Sequence, residues 1–490
     1  MSQPLGAPDM DALQRGSPPV TVDNAASGGL RVILLSLNWW REKDPRTPLG
    51  AAYLYAWLVT RPQLRRKVQV SFVDCPASTP VDRIVGEVLR AQPDVVGIGV
   101  YVWNNLEVRN VTRALRERGF TGTIVLGGPE ISYASTELTS EFPHTDYLVK
   151  GEGETAFEEV VQAVLERRTA SGPGIFTPES VSFEGLAHLP PGVDPVQPQS
   201  IPELLPLILK DGFGRIEFQR GCVFACAFCA FPFKDRVFRQ LGLSTLREDL
   251  ARLRNAGVRE LAILDPIFFM EKQRAMAILL ALEEELPGTR LEIQSRLEHM
   301  DEETVAQVSR MNVLLECGVQ SLDPKVQRAI RRGGRPEVIE ANLKRLHDRG
   351  ANFEAHLIFG LPFQTMESLR KDVVYLLRFR PRRLRLFPLL DHRGTELSTQ
   401  AKGIYRGRLL FSDSFPRQIE ATEWLDREMV DRLKRMHAFF EELRDPGATL
   451  HSWDDIFERV GSAVRPSPNK PSMQDPTATA LVNGISALAS

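Results

Sequence analysis

The sequence is short of cysteine, with five among 490 residues, and has no excess of one charge: 61 Lys and Arg stand against 63 Asp and Glu, a net charge of −2. A small, odd number of cysteines, three of them crowded together, excludes a disulfide framework and points to a reducing compartment. A near-neutral chain lacks the broad positive field of a polyanion binder, so no nucleic-acid partner is expected. Long apolar runs are also missing. The longest, AAYLYAWLV from Ala51 to Val59, falls well short of the roughly 20 residues that span a bilayer. The N-terminus has no basic stretch followed by an apolar core, which favours a cytoplasmic protein. With 43% hydrophobic and 25% charged residues, the composition is that of a globular chain long enough for two or three domains.

Residues 1–29 and 461–490 are rich in Ser, Pro, Gly and Ala without periodicity; a disordered leader and a disordered tail are expected there. Between 30 and 168, strand-like runs at 31–37, 68–74, 94–101, 122–128 and 146–151 alternate with amphipathic stretches. Continuous apolar strands joined by helices indicate a parallel sheet covered on both faces. The rhythm suits a flavodoxin-like doubly wound domain, whose ligands bind at the carboxyl ends of the strands. Residues 169–212 turn to Pro, Gly and Ser and are expected to be a linker draped over the surface. Six further β/α units follow over 213–390, with strands near 215–220, 260–265, 291–296, 313–321, 352–360 and 383–389. They predict a partial (β/α)6 TIM-like barrel with its chemistry at the C-terminal strand ends. Residues 391–460 form a helical C-terminal region, including a long amphipathic helix over 420–444, expected to close the barrel mouth.

Cys222, Cys226 and Cys229 lie within eight residues, directly after the first barrel strand. A structural zinc site needs a fourth Cys or His, and none lies within twenty residues. A [4Fe–4S] cluster usually takes one Cys per iron, so three ligands leave one iron open to a substrate or cofactor. Three buried free thiols are the remaining alternative, and a loop rich in Phe suits them poorly.

The C-x3-C-x2-C run with Phe228 before its last cysteine resembles the signature of the radical S-adenosylmethionine (SAM) superfamily. The resemblance implies a [4Fe–4S] cluster on the three cysteines, SAM chelating the open iron, and an external one-electron reductant of flavodoxin or ferredoxin type. It implies SAM contacts at Phe228, near the adenine; at Arg296, ending the third strand; at Glu316 or Ser321, in the fourth-strand segment; and around Ile358 to Gly360, in HLIFGLPFQTMES. Phe363 and Gln364 stand where Gly and Glu are usual. The Gly-Gly-Glu of the second strand is also absent, and Asp265 is the substitute candidate. Adjacent strand residues point to opposite faces, so a lumenal Glu316 puts Cys317 under a helix.

A doubly wound domain ahead of such a barrel resembles the cobalamin (B12)-binding domain of B12-dependent radical SAM enzymes. The matching pieces are TPLGAAYLYAWL, GIGVYVWNN, LGGPEIS and DYLVKGEGETAF. They imply cobalamin contacts at Val102, Trp103, Asn104, Gly127, Gly128, Glu130, Gly151 and Glu152, with Trp39 and Trp40 as further covers of the site. The D-x-H-x-x-G loop of cobalamin mutases is absent, as is common in the radical SAM subclass. The family implies a methyltransferase: a 5′-deoxyadenosyl radical activates an unactivated carbon of a small-molecule or peptide substrate, and methylcobalamin supplies the methyl group. A non-methylating rearrangement, cyclisation or oxidation, with the first domain as scaffold, is the alternative.

Overall fold

The computed structural model describes residues 29–38, 47–134, 138–180, 182–231, 238–398 and 403–442. The expected leader (but for Gly29) and tail, together with Trp39 and Trp40, lie outside the described residues. The chain divides into two units, Met1–Asp211 and Gly212–Ser490.

In the first unit the apolar runs form β1 (Leu30–Asn38), β2 (Val68–Pro76), β3 (Val95–Gly99), β4 (Thr123–Gly127) and β5 (Tyr147–Val149). These strands pair in parallel in the order β2-β1-β3-β4-β5. That is the flavodoxin order, and the connection direction reverses between β1 and β3. Strand alternation divides the apolar residues between two cores. Val32 and Leu34 join the core under helices Leu49–Thr60 and Gly153–Glu166. Ile33, Leu35 and Leu37 join the one under helices Val81–Arg90 and Asn105–Glu117.

The stretch 169–212 departs from its expectation as a draped linker. Ile175–Phe176 adds an antiparallel edge strand, β6, beside β5, and Leu204, Leu207 and Ile208 are buried in the first core. Lys150 N donates to Gly174 O at 2.8 Å, and Ala187 N to Lys150 O at 2.7 Å. Pro-rich backbone suits an edge, where missing donors are tolerated, and its composition concealed the few apolar residues that anchor it.

In the second unit β7 (Phe213–Ile216), β8 (Glu260–Ile263), β9 (Arg290–Ser295), β10 (Val313–Gln320), β11 (Phe353–Phe359) and β12 (Arg383–Pro388) pair in sequence order, all parallel. Among the described residues β7 and β12 do not pair with each other, so the barrel is open. Leu315 and Cys317, Ala355 and Leu357, and Leu384 and Leu386 are buried on the face opposite Glu316, Glu354, His356, Arg383 and Arg385. The period-two pattern therefore gives the barrel an apolar outer face and a polar inner one. Helices return the chain between strands, two of them started by reciprocal capping pairs, Asp301 with Thr304 and Thr365 with Ser368.

The last helix of the described residues starts at Arg427 rather than at 420 and runs to Glu442, where the described residues end. Ile419–Thr422 pairs instead as a strand with Leu409–Phe411, and Asp426 accepts Met429 N at 2.8 Å to start the helix. No helix of the described residues is long and apolar enough to cross a membrane.

Gly151 holds φ 95°, and a Cβ there would lie 2.8 Å from Ala187 N. Gly151→Ala is expected to destabilise the first unit by about 3 kcal/mol, combining left-handed strain with overpacking. Gly119→Ala, at φ 81° with nothing within 4 Å, should cost about 1 kcal/mol. Thermal denaturation of the two variants side by side checks the difference.

Candidate cluster and cofactor sites

The loop after β7 carries the three cysteines and is fixed from two directions. Ala227 N donates to Ile330 O at 2.9 Å, and Ala227 O accepts from Leu397 N at 3.2 Å. Within the loop Cys229 N reaches Cys226 O at 3.1 Å, and Phe231 N reaches Cys229 Sγ at 3.4 Å. Cys222, Cys226 and Cys229 thus line one cavity together with Phe228, Arg296 and Glu316. All three thiols are free.

Burial pushes the Cys222 thiol up, and it pushes Cys229 up to about 12, with the nearby Cys226 adding to both. Cys222 and Cys229, half-buried and crowded, resist ionisation unless a cation rewards the thiolates. A soft metal centre is the chemistry this donor set fits. Two guanidinium groups stand ready to balance such a centre. Arg332 Nη1 lies 3.9 Å from Cys226 Sγ, while its Nη2 donates to Gly318 O. Arg296 is 4% exposed and sits 4.1 Å from the centroid of the Phe224 ring. Its Nη2 donates to Glu298 Oε1 at 2.9 Å and Gly333 O at 2.5 Å. Its Nε and Nη1 have no hydrogen-bond partner. Buried orphan donors beside the cysteines suit an anionic group such as an amino-acid carboxylate.

Glu316 faces the cavity, and Cys317 is fully buried on the opposite face, its thiol pushed up by burial. Glu316, Glu354 and His356 bring one polar atom each within 4.8 Å of one another. Burial opposes ionisation of Glu354, but the His356 hydrogen bond and Arg385, at 2.5 Å, outweigh it and hold this carboxyl well below its usual range.

Other residues expected at the SAM site do not line the cavity. Asp265 is 2% exposed, and its Oδ1 accepts Phe218 N at 2.7 Å and Gln219 N at 3.1 Å; it shapes the approach to the cysteine loop. Ser321 donates to Asp372 Oδ2 at 2.8 Å, away from the cavity. At Ile358 and Gly360 the Gln364 amide closes the turn, accepting Gly360 N and donating to Ile358 O, both at 2.9 Å. A carboxylate could not donate that second bond, so the Gln is a working replacement for Glu in this turn.

In the first unit several expected cobalamin contacts are engaged by the domain itself. Asn104 accepts Tyr101 N at 2.8 Å and donates to Leu37 O and Gly99 O, tying β1 to β3. Glu130 accepts from Asn105 at 3.1 Å, and Glu152 accepts Leu189 N at 2.7 Å. Val102 is buried. At Gly128, φ 93°, a Cβ would lie 2.8 Å from Val100 O, so this glycine, like Gly151, serves close backbone packing. Gly127 has no atom within 3.6 Å of a Cβ position, the nearest being at 3.7 Å. Trp103 stacks on Tyr101 with centroids 4.4 Å apart, and its buried Nε1 has no partner. An aromatic platform with an orphan donor, and a glycine with open space at its Cβ position, suit a large flat ligand.

Sequence reasoning missed Gln294, Gln320, Arg332 and His356, all on the cavity wall. Gln294 and His356 lie two residues before Arg296 and Ile358, so strand periodicity applied backwards from those positions would have found them. Arg332 gave no periodic signal.

An open six-unit β/α barrel with three cysteines after its first strand, following a sheet of flavodoxin order, is the build of a B12-binding radical SAM enzyme. Comparison with known proteins agrees. Residues 216–376 match the family model of the radical SAM superfamily, and residues 47–161 match that of the B12 binding domain. An uncharacterized methyltransferase of Pyrococcus horikoshii is 26% identical over 342 residues, covering 67% of this chain and 72% of that protein. The cobalamin-dependent radical SAM methyltransferase TokK of Streptomyces tokunonensis is 25% identical over 384 residues, 72% of this chain and 54% of its own; this chain thus spans about half of TokK's length. The solved structure of TsrM from Kitasatospora setae, with tryptophan substrate and a SAM analogue, has a TM-score of 0.64 at 19% identity, covering 81% of this chain and 80% of that one. The chain belongs to the B12-binding radical SAM family, whose cofactors are a [4Fe–4S] cluster, SAM and cobalamin.

Burial raises the Asp265 carboxyl from 3.8 to about 7, against the lowering effect of its two backbone donors. The folded state therefore holds a proton that the unfolded state has released between those values, and stability falls as pH rises through that window. Asp265→Asn keeps the Oδ1 acceptor and removes the titration. Its thermal midpoint should decline less than the parent's between about pH 4.5 and 7, measured by calorimetry.

Proposed function

We propose that this protein is a cobalamin-dependent radical SAM methyltransferase that methylates an unactivated carbon of a small-molecule or peptide substrate. The observation that carries the reading is the union, in one cavity, of three free cysteines with a buried arginine that has two unpartnered donors. The methyltransferase relatives favour methyl transfer over the other radical outcomes.

When bound, the cluster with SAM supplies one-electron bond cleavage, and cobalamin supplies a transferable methyl group. The chain's residues hold and orient these groups. Cys222, Cys226 and Cys229 would hold the cluster through their thiolates. Arg296 receives the SAM carboxylate through its free Nε and Nη1, and the Phe224 ring beside its guanidinium shields that group from water. Glu316 offers an acceptor to the ribose hydroxyls or the ammonium group. Phe228, 8% exposed, with Phe224 and Phe231 gives the cavity apolar walls that exclude water from a reactive radical. Trp103 and the backbone at Gly127 offer the first unit's platform for the corrin.

After anaerobic reconstitution with iron, sulfide and hydroxocobalamin, the protein should bind about four irons and about one cobalt per chain, read by metal analysis and absorbance. Cys226→Ala should lose the cluster and reductive SAM cleavage together; cleavage surviving in this variant sinks the assignment. Arg296→Gln should keep its iron yet bind SAM about 10- to 100-fold more weakly, the worth of a buried charge-assisted hydrogen bond. Equilibrium dialysis with labelled SAM measures it.

A further inference from the structure

We propose that the exposed basic surface of residues 325–335 and 403–408 docks an acidic one-electron donor protein of flavodoxin type and brings it against the cluster loop. This rests on the cluster reading given above.

The chain as a whole is slightly acidic, yet Lys325, Arg328, Arg331 and Arg335 are all exposed within eleven residues. Asp323, just before them, is engaged in capping the short helix Pro324–Ala329, accepting Lys325 N at 2.7 Å. Arg406 is exposed in the second segment. Arg331 pairs with Glu396 and Arg408 with Glu423, but Arg328, Arg335 and Arg406 have no carboxylate partner among the described residues. The two segments make one surface: Tyr405 Oη donates to Ala329 O at 3.4 Å, and Phe363 lies 4.7 Å from Lys325 Nζ and 4.5 Å from the Trp424 ring. Within it Ile404 is 73% exposed. An apolar residue among unpaired cations is the pattern of a transient, electrostatically steered contact.

This surface is also wired to the cluster loop. Ile330 O, one residue from Arg331, accepts Ala227 N at 2.9 Å, and Arg332 reaches Cys226 Sγ at 3.9 Å. The side of the segment facing inward touches the loop; the side facing outward is cationic. One electron leaves a fully reduced flavin, which becomes the semiquinone, and the cluster passes from the 2+ to the 1+ state; no proton or atom moves between the proteins.

The test uses the reconstituted holoenzyme and the variant Arg328→Glu/Arg335→Glu/Arg406→Glu. Cluster bleaching is followed by stopped flow with two reductants, reduced flavodoxin and the small cation reduced methyl viologen. For the parent, the flavodoxin rate should fall about tenfold between low and physiological salt. In the variant it should be about 10- to 100-fold slower at low salt and nearly salt-independent, while the viologen rate is no slower. An unchanged flavodoxin rate overturns the docking surface, as does equal slowing with both reductants, which places the defect in the loop. A parent chain that takes up no iron fails the underlying reading, and this proposal falls with it.

Discussion

Three half-buried thiols held together on one loop impose the constraint on which the second unit is organised. Burial raises the cost of ionising Cys222 and Cys229, so a bare loop of this composition would not favour thiolates there. The fold answers with backbone clamps on Ala227 from Ile330 and Leu397 and with two buried guanidinium groups, Arg296 and Arg332. Burying arginine is itself costly. Here each guanidinium donates to backbone carbonyls, Gly318 O and Gly333 O, and keeps donors for an anionic centre. Both arrangements suit a metal cluster with a negatively charged ligand beside it.

The barrel wall follows from the same requirement. Its strands are apolar outward and polar inward, and the inner row of Glu316, Glu354, His356 and Arg385 is largely compensated within itself. Glu354 is held ionised by Arg385 and His356, which fixes the two histidine and arginine side chains in turn. Glu292, on the neighbouring strand, is pushed up to about 8 by burial and by the charge of Glu316. A row of charges that balances itself is rigid, and a rigid wall is what a site for a short-lived radical needs.

The first unit works by a different economy. Most of the polar residues and glycines at its strand ends serve the domain's own backbone: Asn104 ties two strands, Glu152 ties the Pro-rich segment, and Gly151 lets that segment approach. What is left for a ligand is backbone, an open Gly127 and the Tyr101–Trp103 stack. Such an edge binds a large flat group by shape and surface, with few dedicated side chains, which agrees with the absence of the histidine loop of the mutases.

Local pattern alone determined the two β/α series, the strand positions to within a few residues, and the three cysteines, because period-two alternation and short-range spacing are properties of neighbouring residues. The opposition of Glu316 and Cys317 was legible for the same reason. Tertiary structure decided the rest. Asp265 and Ser321 look like strand-end ligands in the chain, but only packing shows that their oxygens already accept or donate elsewhere. The Pro-rich stretch 169–212 reads as a linker until distant partners such as Lys150 and Glu152 are placed beside it. Arg332 stands more than a hundred residues from Cys226, and no local signal links them. Contacts of that kind depend on which strand ends meet in space, and a linear pattern carries no record of them.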